Sequence, residues 1–181
     1  MVRRLFVDLE STGNGSNLFH DIVELNCRYY ENEKLISTYT GAYGHDPEYV
    51  YAFGINKDKA LENSKKGCIT SDEDFATFEQ WLTEVLNGNK AYLISYNCEW
   101  DFAHLKNWFQ RNGRGIRAHL FEPCLCVMSL CACRYDRFLK LSECANKLNI
   151  PVDEKKLHTA EYDNQLTIKM YGKLINKLKA S

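Results

Sequence analysis

At 181 residues, with 45% hydrophobic and 26% charged residues, the chain is expected to fold as a single globular domain over 1–181. A formal net charge of −1 excludes a protein that coats long duplex through bulk charge, but leaves room for a nucleic-acid partner gripped by a local basic cluster. Only 3 Pro and 10 Gly exclude long linkers, and no apolar run approaches the length of a membrane span. An acidic residue, Asp8, interrupts the start of the chain before a signal-peptide apolar stretch can form. The expectation is a soluble, cytoplasmic protein without a membrane partner, whose 8 cysteines remain free thiols.

Taken in chain order, Arg3 to Glu10 alternates with a period of two: Leu5, Val7 and Leu9 on one face, Phe6, Asp8 and Glu10 on the other. Residues 21–30 and 35–43, rich in Val, Ile, Thr and Tyr, predict two further strands. Residues 44–68 show no clear period and predict a loop with short helical pieces. Ser71 with Asp74 reads as a capping box ahead of Phe75, Phe78, Leu82 and Val85 at helical spacing. A short buried strand is expected at 91–96 and an amphipathic helix at 99–112, stopped by Gly113. A last strand follows at 119–122, then helices at 127–136, 141–148 and 159–178. Three strands, then strands alternating with helices, predict an antiparallel meander extended by parallel strands in an α/β fold.

Three acidic segments stand out. Asp8 and Glu10 share one face of the first strand and precede Ser11-Thr12-Gly13, a turn where backbone can approach a phosphate closely. Asp101, Leu105 and Trp108 fall at i, i+4 and i+7, so a carboxylate heads the apolar stripe of its helix and calls for a partner. The bland reading of Asp101 is an acid complementing a helix start, a role Glu99 can also fill. Asp163, Thr167 and Met170 form the inward stripe of the last helix, and His158 precedes it in His-x-Ala-x-x-Asp. A lone His near a helix start otherwise reads as a cap or surface residue.

If four carboxylates from distant segments converge, each like-charge pair costs about 4 kcal/mol at about 4 Å and an effective dielectric near 20. Such a cluster needs cations, and all-oxygen ligation suits two Mg²⁺ or Mn²⁺ ions better than zinc. Paired ions clamp an in-line displacement at phosphorus, and a nearby His can take the proton of the attacking water. The chemistry expected is phosphodiester hydrolysis.

Together the segments resemble the DEDDh, DnaQ-like 3′–5′ exonucleases of the ribonuclease H-like superfamily, in the family's order and over nearly the whole chain. Phe6-Val7-Asp8-Leu9-Glu10-Ser11-Thr12-Gly13 is similar to the first motif, Tyr96-Asn97 through Leu105 to the second, and His158 to Asp163 to the third. Ala52-Phe53-Gly54-Ile55-Asn56 is similar to the family's His-Gly-Ile-Thr segment. The resemblance implies a ribonuclease H-like fold with a central mixed five-stranded sheet, three antiparallel strands then parallel ones, flanked by helices. It implies metal ligation by Asp8, Glu10, Asp101 and Asp163, and His158 as general base. Leu9, Ser11, Thr12, Phe53 and Asn97 would bind substrate, the backbone of residues 9–12 accepting the terminal nucleotide. The implied partner is a single-stranded 3′ end, DNA slightly preferred over RNA, with nucleoside 5′-monophosphates released and a polymerase or second copy as further partners. Tyr96, Trp100 and Phe53 depart from the family's His, Phe and His, and Pro123-Cys124 from its Asp-Thr; none is a metal ligand or the base.

Arg111, Arg114 and Arg117, with Lys65 and Lys66, read either as phosphate contacts or as a solvated basic surface. Phe19, Tyr51 and Phe53 read either as base-stacking side chains or as core. Cys124, Cys126, Cys131 and Cys133 lack zinc-knuckle spacing and read as small buried hydrophobes ahead of a zinc site.

Overall fold

The computed structural model describes residues 1–13, 21–45 and 56–179, the last three without their side chains. Strands β1 (Arg3–Ser11), β2 (Ile22–Glu31) and β3 (Lys34–Ala42) form the antiparallel meander. Strands β4 (Ala91–Ser95) and β5 (Leu120–Cys126) extend it in parallel, so the described sheet runs β3-β2-β1-β4-β5. The helices are α1 (Lys57–Lys65), α2 (Phe75–Leu86), α3 (Cys98–Arg111), α4 (Val127–Tyr135), α5 (Leu141–Lys147) and α6 (Ala160–Lys179).

Because β1 lies in the middle of the sheet, both of its faces are covered, and its alternation divides them. Leu5, Val7 and Leu9 enter one core with Phe75, Phe78 and Leu82 of α2 and Leu105, Trp108 and Phe109 of α3. Phe6 enters the other with Leu166, Met170 and Leu174 of α6 and Val127 and Cys131 of α4. Asp8 and Glu10 continue the face of Phe6, towards α6. Asn164 of α6 fixes that helix to the sheet, its Nδ2 donating to the carbonyls of Phe6 at 3.1 Å and Asn26 at 2.9 Å.

Two details differ from the sequence reading. The capping box before α2 is one residue earlier: Thr70 N–H donates to Glu73 Oε2 at 2.9 Å and Glu73 N–H to Thr70 Oγ1 at 3.4 Å. Ser71 is buried, and its hydroxyl instead donates to Asp21 Oδ1 at 3.1 Å. Strand β5 continues through Pro123 to Cys126, beyond the expected end at 122. A proline that lacks a donor is tolerated where a strand has no neighbour on one side, and β5 is at an edge of the described sheet. The helical piece expected within 44–68 is Lys57–Lys65, with Ala60 packed on Val23.

Candidate active site

The site forms at the carboxyl ends of β1 and β4. Only Arg4, Leu5 and Phe6 of β1 pair with β4, at Tyr92, Leu93 and Ile94. Past Phe6, β1 keeps only β2 as a partner, with Asp8 opposite Asn26 and Glu10 opposite Glu24. The vacated flank admits the start of α3. Asp101 is 4% exposed there, and burial pushes its carboxyl up to about 7, although the Leu9 backbone N–H favours the charged form. Ser95 Oγ also favours that charge from nearby, while lying outside ordinary hydrogen-bond geometry.

From the opposite face, the first turn of α6 brings Asp163, which is 8% exposed. Its Oδ2 accepts the backbone N–H of His158 at 3.1 Å. Its Oδ1 is buried and has no hydrogen-bond partner among the described residues. His158 itself is exposed, with a left-handed backbone at φ 63°. One ligand atom each of Glu10, His158 and Asp163 lie within 4.8 Å of one another.

Asp8 ties the two halves together. It is partly buried, and its carboxyl is held well above the usual carboxylate range by burial first, then by the charges of Asp101, Asp163 and Glu10. Burial likewise raises Glu10 and Asp163; the nearby Lys59 charge opposes the rise at Asp8, Glu10 and Asp163. Four acids on three distant segments therefore share one electrostatic neighbourhood.

The donor set fits divalent cations. Carboxylate oxygens are hard ligands of the kind Mg²⁺ and Mn²⁺ take. A buried carboxylate oxygen left without a donor is costly unless a cation or water satisfies it; Asp163 Oδ1 is such an atom.

Neighbours that the sequence did not reveal complete the site. Asn56, at φ 54°, donates from Nδ2 to Glu10 Oε2 at 2.9 Å and to the Ser11 carbonyl at 3.0 Å. Lys59 donates from Nζ to Glu24 Oε2 at 3.1 Å and to the His158 carbonyl at 2.7 Å. Glu24 Oε2 also accepts the Ala160 N–H that opens α6, at 3.3 Å. Asn56 ends the segment already compared with His-Gly-Ile-Thr, which was its only sequence signal. Lys59 and Glu24 had none.

The expected substrate-binding residues divide. The Leu9 side chain is core. Ser11 and Thr12 are buried; Ser11 Oγ donates to the Gly13 carbonyl at 2.6 Å, and Thr12 Oγ1 accepts the Asp21 N–H at 3.0 Å. These hydroxyls are thus engaged within the protein, and so is much of the turn's backbone, Thr12 N–H donating to the Asp21 carbonyl at 2.9 Å. Asn97 is exposed on a different cleft, lined also by Phe102, Lys106, Cys124 and Phe138 and by none of the four acids. Phe19, Tyr51 and Phe53 lie outside the described residues.

Each of the three arginines has an acidic partner, Arg114 and Arg117 remaining largely solvated. Arg111 pairs with Asp21 and Asp72, Arg114 with Glu79 at 3.4 Å, and Arg117 with Glu122 at 2.8 Å. Lys66 pairs with Glu62 at 2.7 Å, and Lys65 is exposed. The expectation of free cysteines is corrected at four positions: Cys98 bonds Cys124, and Cys131 bonds Cys144. The fold brings their Cα atoms to 6.3 and 6.6 Å, within bonding reach, which an argument from compartment alone could not foresee. Cys27, Cys68, Cys126 and Cys133 are free. A zinc cluster of Cys124, Cys126, Cys131 and Cys133 is thereby excluded, since two of its members are bonded elsewhere.

No family model matches the chain, and no curated protein matches it in sequence. Solved structures do match. A full-length 3′-exonuclease superposes over 97% of this chain and 82% of its own, with TM-score 0.67 and 14% identity. The nuclease domain of 3′hExo, a DEDDh family member bound to rAMP, superposes over 97% and 92%, with TM-score 0.66 and 14% identity. A 3′-exonuclease recognising the histone mRNA stem-loop superposes over 93% of this chain and 62% of its own, with TM-score 0.65 and 14% identity. The fold is ribonuclease H-like. Among such structures the chain has the five-strand order and flanking helices expected of it, and among the described residues no helix is long and apolar enough to cross a membrane.

Proposed function

We propose that this chain is a metal-dependent 3′–5′ exonuclease that acts on single-stranded ends and releases nucleoside 5′-monophosphates. The observation that carries the reading is the setting of Asp8: a partly buried carboxyl near a strand end, raised first by burial and then by the charges of three other acids from β1, α3 and α6. A fold built for stability alone does not gather four acids around a buried point, because each pair repels. The resemblance of their motifs to the DEDDh pattern and the likeness in fold to 3′-exonucleases support the same reading.

In this mechanism Asp8, Glu10, Asp101 and Asp163 hold two divalent cations, Mg²⁺ or Mn²⁺. Such ions, when bound, acidify a water and neutralise charge on a departing oxygen. The exposed imidazole of His158 accepts the proton of the attacking water as its oxygen bonds to phosphorus and the bond to the 3′ oxygen breaks. Its exposure allows the proton to pass on to solvent. Asp163 keeps the His158 backbone in place through the 3.1 Å hydrogen bond, and Asn56 orients Glu10. The backbone of residues 9–12 is the proposed seat of the terminal nucleotide. The reaction needs only this chain; a polymerase or a second copy is an accessory partner.

The test uses 3′- and 5′-labelled single strands with Mg²⁺, Mn²⁺ or EDTA. Mononucleotides should leave from the 3′ end, and EDTA or Asp8→Ala should abolish release. Undiminished activity in EDTA, or loss of label from the 5′ end first, would sink the reading. For the sugar, one neighbour bound to rAMP and another recognising histone mRNA favour a second reading over the expected slight preference for DNA: an RNA-trimming or oligonucleotide-degrading enzyme. Parallel DNA and RNA strands of one sequence decide it by kcat/KM.

A further inference from the structure

Resting on the exonuclease reading, we propose that Lys59 is a positioning residue that holds the His158 segment against the acid cluster through a clamp shared with Glu24. Glu10 and Glu24 face each other across β1 and β2, and like charges directly opposite repel. Lys59, in the first turn of α1, places its ammonium between the strand pair and the start of α6. An ammonium has three donors that fan from one point charge. One reaches Glu24 Oε2 at 3.1 Å and another the His158 carbonyl at 2.7 Å. Glu24 closes the loop by accepting the Ala160 N–H.

His158 needs such anchors. Its φ of 63° is unfavourable for a residue with a side chain, and the turn before it is exposed. Its amide is held by Asp163 and its carbonyl by Lys59, so the peptide units on both sides of its Cα are fixed. The direction of the imidazole follows from those two units. Removing Lys59 frees one of them and lets the segment turn away from the acids without unfolding the domain. The same ammonium stands near Glu10 and Asp163, so a purely electrostatic role is the alternative to separate.

The experiment compares Lys59→Met, Lys59→Arg and Glu24→Gln with wild type, each alone and in a His158→Ala background. Lys59→Met should lower kcat about 10- to 100-fold with little change in KM, with partial rescue by Lys59→Arg, which keeps the charge and donors. In the His158→Ala background the same substitution should change kcat less than about 2-fold, because both act through one group. Hydrogen exchange at the amides of His158 and Ala160 should rise in Lys59→Met and Glu24→Gln by more than at core amides of β1, which report any global loss of stability. Unchanged exchange, a full further loss in the His158→Ala background, or an effect confined to KM overturns the proposal. A wild-type chain without nuclease activity overturns the exonuclease reading instead, and the exchange of those two amides then decides the clamp alone.

Discussion

Asp163 receives the backbone N–H of His158 on one carboxylate oxygen and leaves its other oxygen buried and unpaired. One side chain thus faces two tasks, setting the loop that carries the proposed base and offering a ligand atom. The two tasks separate by substitution. Asp163→Asn keeps an acceptor for His158 and removes a charge from a crowded cluster, so its metal-free melting temperature should match or exceed wild type. Activity should fall more than about 100-fold, since several kcal/mol of transition-state stabilisation go with a metal ligand. Asp163→Ala should lose the activity and also about 1–2 kcal/mol of stability from the missing hydrogen bond. Equal melting of the two variants would show that the contact to His158 holds nothing.

The raised carboxyls give a stability profile of unusual slope. For Asp101 the folded value is about 7 against an ordinary 3.8, so between those values the folded state binds more protons than the unfolded chain. Stability from this source is complete below about pH 4 and is lost as pH climbs through about 7; the raised Asp8, Glu10 and Asp163 act in the same direction. Metal-free protein should therefore melt at a lower temperature at pH 8 than at pH 5.5. Mg²⁺ or Mn²⁺ should reverse this, with a larger gain at pH 8, because the ligands must lose their protons to bind. Calorimetric scans with and without EDTA check it, and a melting temperature that rises with pH in EDTA would contradict the placement of these acids.

Arg111 is 15% exposed at its side chain and joins α3 to Asp21 and Asp72. Asp21 is half-buried and keeps the Ser71 hydroxyl, so losing its charged partner in Arg111→Ala should cost about 1.5–3 kcal/mol, as for other hydrogen bonds to charged groups. If Arg111 were instead a phosphate contact, the variant would keep its stability and lessen the salt dependence of substrate binding. Chemical denaturation and a salt titration of KM distinguish the two.

Cysteine pairing is read by counting thiols. In denaturant without reductant, four of the 8 cysteines should react with a thiol reagent, and all 8 after reduction. The bridges close separations of 26 and 13 residues, so each should stabilise the fold by about 3 kcal/mol on the chain-entropy account. Eight reactive thiols in the unreduced protein would refute the pairing.

Much of this architecture was legible before any coordinates, for a local reason. Alternation in β1 placed Asp8 and Glu10 on one face, and helical spacing put Asp101 and Asp163 on inward stripes, because both periods are set by backbone geometry alone. Lys59 was invisible: it acts on a carbonyl 99 positions away, from a segment without period. Ser71 looked like a cap because of its residue type, but its hydroxyl found Asp21 across the fold. The four residues past 122 that complete β5 were hidden too, since nothing local says that the strand runs along an edge where a proline is tolerated. The acidic partners of the arginines and the pairing of the cysteines were hidden likewise, being brought together only by packing.

The backbone of His158 carries a last implication. At φ 63° and exposed, the position suits glycine better than histidine, and His158→Gly should relieve up to about 1 kcal/mol of strain. Thermal hardening of this protein by random mutagenesis, scored on melting alone, would thus be drawn to discard the imidazole. Variants emerging from such a screen would be sturdier and inert, so every round of heat selection on this scaffold must be paired with a turnover assay.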